Sequence, residues 1–169
     1  MLPDLHRLQK NRQPWKYIVY GNESKEKLLD VMEQALKKEE LEHRLLPESA
    51  FGLPDAFHTL QVMREAPIVV IVMNPNGQSP YKEITNDRRV AEICDSLSIG
   101  ASIENMLLSA AELGLGTLWI ANTCFAYTDL VNYIKEAGQL IGAVALGYPE
   151  EQPSARPRKD MKEILEYRW

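Results

Sequence analysis

The sequence predicts a single domain of helices and strands, with a core of helix, glycine stop and strand, and three observations lead there. At 169 residues, with 45% hydrophobic and 25% charged residues, the chain has the size and composition of one soluble domain with a real core. Residues 68–73, IVVIVM, are continuously apolar and largely β-branched, the pattern of a central strand. Residues 98–122, SIGASIENMLLSAAELGLGTLWIAN, read as a buried helix, a glycine stop and a second strand, and the rest of the chain is organised around them.

In chain order, residues 1–10 form a leader without a convincing period. Asn11-Arg12-Gln13-Pro14-Trp15 is a polar turn that runs into a strand at residues 16–20, KYIVY. A helix starts near Ser24 and carries an apolar stripe of Leu28, Leu29, Met32, Leu36 and Leu41. The charged run from Lys37 to Arg44 reads as its solvated face and end. Residues 47–54 form a loop, residues 55–64 a second helix, and Pro67 separates that helix from the 68–73 strand. Residues 74–80, NPNGQSP, have the composition of a mobile flap.

Residues 81–97 are polar, with Asp95 or Ser96 as candidate caps for the core helix. In that helix Ile99, Ile103, Met106 or Leu107 and Ala110 recur at helical spacing. Glu104 and Glu112 are its only charges, so the helix is predicted to be buried on nearly all sides. Gly114 and Gly116 end it, and residues 117–121 form a strand. An amphipathic helix over 127–137 and a small-residue strand over 142–148 follow. Pro149, Pro153 and Pro157 then enforce an extended C-terminal arm over 149–169.

A net charge of −5 gives no footprint for nucleic acid. No stretch reads as a signal peptide or membrane span, and Cys94 and Cys124 lie far apart, as reduced thiols do; the expectation is a cytoplasmic protein. His6, His43 and His58 lack metal-ligand spacing, which predicts no structural metal. Phosphate-loop and nucleophile-elbow signatures are missing, and Gly114-x-Gly116 follows a helix, so it is not a dinucleotide fingerprint.

Two segments carry candidate binding chemistry. On an extended backbone Asn11 and Gln13 face the same side, suited either to a polar ligand edge or to capping the turn. Arg156 and Arg158 flank Pro157, so both guanidinium groups can converge on a phosphate or pair with surface acids such as Glu150 and Glu151.

Taken together, Asn11-Arg12-Gln13-Pro14-Trp15, the 98–122 stretch and GYPEEQPSARPRK at 147–159 resemble the nitroreductase family of FMN-dependent oxidoreductases, in order and spacing. The resemblance spans nearly the whole chain. It implies an α+β fold, a three-layer α-β-α sandwich around a mostly antiparallel sheet, in a homodimer whose C-terminal arms embrace the partner. It implies FMN at the interface in a site drawn from both chains, with Asn11 from the neighbouring subunit on the flavin nucleotide and Gln13 beside it. Trp119, Ile120, Ala121 and Asn122 would pass the ring, where a backbone N–H near Ala121 or Asn122 would reach N5. Arg156 and Arg158 would then lie on the phosphate. The implied reaction is ping-pong transfer from NADH or NADPH to a nitroaromatic, quinone or similar acceptor, with no catalytic side chain.

The chain departs from the family pattern at its start. An Arg-Arg-Ser-x-Arg type motif on an N-terminal basic helix does not occur, and Arg7-Leu8 stand where the family has Pro-Ser. Arg7, Lys10 and Arg12 are the cations available to replace the lost charge. The alternative reading is therefore a short family-fold protein that binds flavin weakly or not at all, serving as a small-molecule-binding or dimerising module.

Overall fold

The computed structural model describes residues 11–151 and 154–169; the 1–10 leader, with Arg7 and Lys10, lies outside the described residues, as does Pro153 of the arm. The described strands are β1 (Lys16–Gly21), β2 (Ile68–Asn74), β3 (Gly116–Ile120) and β4 (Gln139–Gly147), ordered β1-β2-β4-β3, with every pair antiparallel. The apolar run at 68–73 is central, as predicted, and the sheet edges are β1 and β3.

Alternation along β2 sorts the core into two faces. Val69, Ile71 and Met73 point to a layer of three helices, α1 (Asn22–Glu42), α2 (Leu53–Glu65) and α4 (Tyr127–Ile134). Val70 and Val72 point to α3 (Asn86–Glu112). The fold is thus α+β in three layers. Leu28, Leu29, Met32 and Leu36 of α1 are fully buried, and each such burial contributes about 1.5–3 kcal/mol.

Several boundaries differ from those read in the sequence. Helix α3 begins at Asn86, not near residue 98. The Thr85 hydroxyl caps it by accepting from the Arg88 N–H at 3.3 Å, so Asp95 and Ser96 are mid-helix residues instead of caps. Ser24 does not cap α1; its hydroxyl donates to the Gly21 carbonyl, and the helix starts at Asn22. The 47–54 loop winds into a short 3-10 turn (Pro47–Gly52). Helix α4 stops at Ile134 because Lys135 turns left-handed, with φ 56°. Gly114, at φ +75°, supplies the predicted stop after α3. The arm stays irregular until one turn, α5 (Met161–Ile164), where Asp160 and Glu163 form a capping box.

Two charges of α1 depart from the solvated reading. The Glu39 carboxylate is buried and accepts N–H bonds from Arg44, Leu45 and Leu46 at 2.8–3.2 Å, which fastens the chain leaving the helix. Lys25 is buried and donates to the carbonyls of Arg64 and Ala66. No helix of the described residues is long and apolar enough to cross a membrane.

Within one chain α3 buries a single stripe, formed by Asp95, Ile99, Ile103 and Ala110. Its opposite side exposes Val90, Ile93, Leu97 (71% exposed) and Leu108 (60% exposed). The apolar circumference read in the sequence is therefore covered on one side only.

Candidate functional site

Antiparallel pairing decides which candidate residues share an end of the sheet. Lys16 pairs with Met73, Met73 with Leu140, and Ile120 with Ala143. The start of β1, with Asn11 to Trp15, and the end of β3, with Trp119 to Asn122, therefore lie at the same end. They lie on opposite edges, and three strand spacings put them about 14 Å apart.

The Asn11 to Trp15 segment is irregular, with a bend at Asn11, and not extended. Asn11 and Gln13 have φ of 44° and 47°, in the left-handed region that L side chains rarely adopt. The two amides still meet, because Gln13 Nε2 donates to Asn11 Oδ1 at 3.3 Å. Both are exposed, whereas Pro14 is buried beneath them. Between them, the Arg12 guanidinium lies 3.8 Å from the buried Asp95 carboxylate of α3, so Arg12 is engaged within the fold. Burial pushes the Asp95 carboxyl above its ordinary range, and Arg12 and the Asn74 amide oppose that shift.

On the other edge, Ile120 is buried in the core, while Trp119 is 43% exposed and lies on the α3 side beside Gly100. Ladder pairing ends at Ile120, and the chain turns into a 3-10 helix (Asn122–Ala126). Asn122 Nδ2 donates to Asp55 Oδ2 at 2.7 Å and to Thr59 Oγ1 at 3.4 Å, both on α2.

The loop at 74–80 and the residue just beyond it are hydrogen-bonded to α3 and to the 3-10 helix after β3. The Gln78 N–H donates to Glu92 Oε1 at 2.9 Å, and the Tyr81 hydroxyl donates to the Cys124 carbonyl at 3.0 Å. Burial pushes Tyr81 up to about 12 and also raises the Cys124 thiol.

Arg156 and Arg158 are exposed on the arm, which leaves the sheet at the other end, past the Gly116 and Gly147 pair. Arg158 folds back, with Nη1 donating to the Arg156 carbonyl at 3.3 Å. Among the described residues, neither arginine bonds to an acid or to residues 11–13 or 119–122. One chain therefore places the polar segment and the end of β3 at one end of the sheet, on opposite edges, and does not bring the two arginines to them. Sequence reasoning missed the contacts by which Asp55 and Thr59 of α2 and Asp95 of α3, read only as a candidate cap, hold the candidate segments. Their spacing in the chain, 67 residues between Asp55 and Asn122, carries no local signal.

The sequence profile of the Nitroreductase family matches residues 9–148. The chain belongs to the nitroreductase family. That membership points to an oxidoreductase. The solved structures similar to this nitroreductase-family chain include a BluB-like flavoprotein from Clostridium difficile 630, at TM-score 0.70 and 22% identity, covering 93% of this chain and 80% of that one. A variant of an FMN and NADPH-dependent nitroreductase from Sphigopyxis sp. strain HMH matches at TM-score 0.64 and 12% identity, covering 96% and 85%. A nitroreductase in complex with FMN from Desulfovibrio desulfuricans matches at TM-score 0.60 and 20% identity, covering 94% and 75%. At these identities the likeness is one of fold, and it agrees with the three-layer α+β sandwich.

Proposed function

We propose that the protein is a cytoplasmic, FMN-dependent NAD(P)H oxidoreductase that works as a homodimer on nitroaromatic, quinone or related small acceptors. Family membership supports the activity class, and the solved relatives named for FMN and NADPH support the cofactor and donor. The observation that carries the site is the shared sheet end, where an exposed amide pair stands on one edge and an exposed tryptophan with an off-ladder peptide stands on the other.

The residues fit a flavin in parts. Asn11 and Gln13 present amide donors and acceptors from a segment whose left-handed backbone is held by a buried proline and by Arg12 on Asp95. Trp119 presents an exposed ring on the edge strand, the buried Ile120 contributes only its backbone there, and the Asn122 N–H lies beyond the ladder. Arg156 and Arg158 supply two exposed cations for a phosphate. A second chain supplies what one chain separates. Its α3 would cover the exposed Leu97 and Leu108, and its arm would bring the arginines to the site. When bound, the flavin supplies two-electron transfer between the nicotinamide and the acceptor. The protein binds, orients and shields, and no side-chain nucleophile is required.

Steady-state kinetics with purified protein and FMN tests this reading. Initial-rate lines at several fixed acceptor concentrations should run parallel, because donor and acceptor use one pocket in turn. Intersecting lines would reject the shared pocket, and an absence of NAD(P)H oxidation would reject the activity.

A further inference from the structure

We infer that Asp55, on the first turn of α2, is a positioning residue that sets the peptide joining Ala121 to Asn122; this rests on the reading of that peptide as the one facing the flavin ring. The ladder ends at Ile120, so β4 no longer fixes the backbone from Ala121 onward. What fixes it instead is the 3-10 turn, in which the Ala121 carbonyl accepts the Cys124 N–H at 3.2 Å, and, through the Asn122 side chain, α2. The Asp55 carboxylate can only accept, and it takes the Asn122 Nδ2 hydrogen at 2.7 Å. Thr59 already donates its hydroxyl proton to the Ala56 carbonyl at 3.0 Å, so its Oγ1 can only accept from Asn122 as well.

Both partners therefore demand the amide nitrogen. The Asn122 amide has one permitted orientation, with Oδ1 turned away from Asp55 and Thr59. A second attachment stands beside it, since Phe125 packs so closely on Gly52 that a Cβ there would lie 3.2 Å from the ring. The support is rigid, because Leu53, Ala56, Leu60 and Met63 sink α2 into the core while Asp55 stays at the surface. The turn at the end of β3 is thus held by Asp55 and Thr59 from α2, a helix outside the proposed flavin contacts. Removing the Asp55 carboxylate leaves the Asn122 amide only the longer contact to Thr59 and loosens the peptide, which matters for a ring seated on that peptide and not for a phosphate held elsewhere.

The experiment is a fluorescence titration of flavin-free full-length protein with FMN and, separately, riboflavin. Wild type, Asp55→Ala, Asp55→Asn, Asn122→Ala and the double Asp55→Ala/Asn122→Ala variant are compared, each confirmed folded by its thermal melt. Asp55→Ala should weaken both flavins alike, by roughly three- to tenfold, the scale of one net hydrogen bond. Asp55→Asn keeps an acceptor oxygen and should stay within about twofold of wild type, and the double variant should be no weaker than either single one. Should Asp55→Ala not fold, Asn122→Ala, which leaves α2 intact, carries the comparison against Asp55→Asn.

Unchanged affinity in Asp55→Ala, or in Asn122→Ala where that variant carries the comparison, would overturn the assignment, with the flavin reading intact. So would additive losses in the double variant, or Asp55→Asn binding as poorly as Asp55→Ala; the latter would mean that charge at the start of α2 matters and the anchor does not. Wild type binding neither flavin would overturn the flavin reading, and this assignment with it.

Discussion

The Arg12 guanidinium stands 3.8 Å from the carboxylate of Asp95, which α3 carries into the protein interior. This contact ties the segment bearing Asn11 and Gln13 to the helix that exposes Leu97 and Leu108. A candidate ligand-binding segment and a candidate subunit interface thus share one ion pair.

Asp95 gives that pair a pH signature. Burial raises its pKa despite Arg12 and Asn74, with Glu92 adding to the rise, so the folded state binds this proton more tightly than the unfolded state does. The contribution is fully present below the unfolded value and is lost as pH rises through the folded one. Asp95→Asn removes the titration. Its melting temperature relative to wild type should therefore climb as pH rises above the ordinary carboxylate range, about pH 4, and a difference independent of pH would contradict this.

Lys25 gives a stability prediction. Its buried ammonium donates to Arg64 O at 2.6 Å and Ala66 O at 2.7 Å and lies 3.0 Å from Glu26. It closes the C-terminal end of α2 just before β2. Lys25→Met leaves two carbonyls without that donor and should cost about 2–4 kcal/mol in urea unfolding. A loss below about 1 kcal/mol would show that water replaces it.

The exposed side of α3 gives an assembly prediction. Leu97 and Leu108 lie on the face turned away from Ile99 and Ile103. Wild type should sediment as a dimer at micromolar concentration, and Leu97→Glu should shift it towards monomer by burying an unpaired charge at the interface. A monomeric wild type, or a variant that dimerises equally well, would contradict this.

The arm gives a ligand prediction. If Arg156 and Arg158 hold the phosphate, Arg158→Ala should weaken FMN by roughly tenfold to a hundredfold, the scale of a charged hydrogen bond, and leave riboflavin nearly unchanged. Equal losses for both flavins would assign the arm to general folding of the site.

Signals carried by near neighbours in the chain were legible. The β-branched run placed β2 at the centre, the stripe from Leu28 to Leu36 marked the buried face of α1, although Leu41, read with it, is exposed, and Gly114 ended α3. Features set by distant partners were not. Glu39 reads as part of a charged face, yet it is buried because three N–H groups after the helix turn back onto it. Asn11 and Gln13 were recognised as a pair, but their left-handed backbone was not, since neither residue type requires it. The Asp55 to Asn122 bond depends on α2 docking beside β3, which no local pattern encodes.

The central claim is that this chain holds FMN between two subunits, and equilibrium FMN binding measured alongside sedimentation of the same sample tests it most directly. The account predicts saturable binding with one flavin per chain, carried by the dimer and lost together with it in Leu97→Glu. A folded, dimeric wild-type protein that leaves FMN unbound at concentrations of about 100 μM would contradict it.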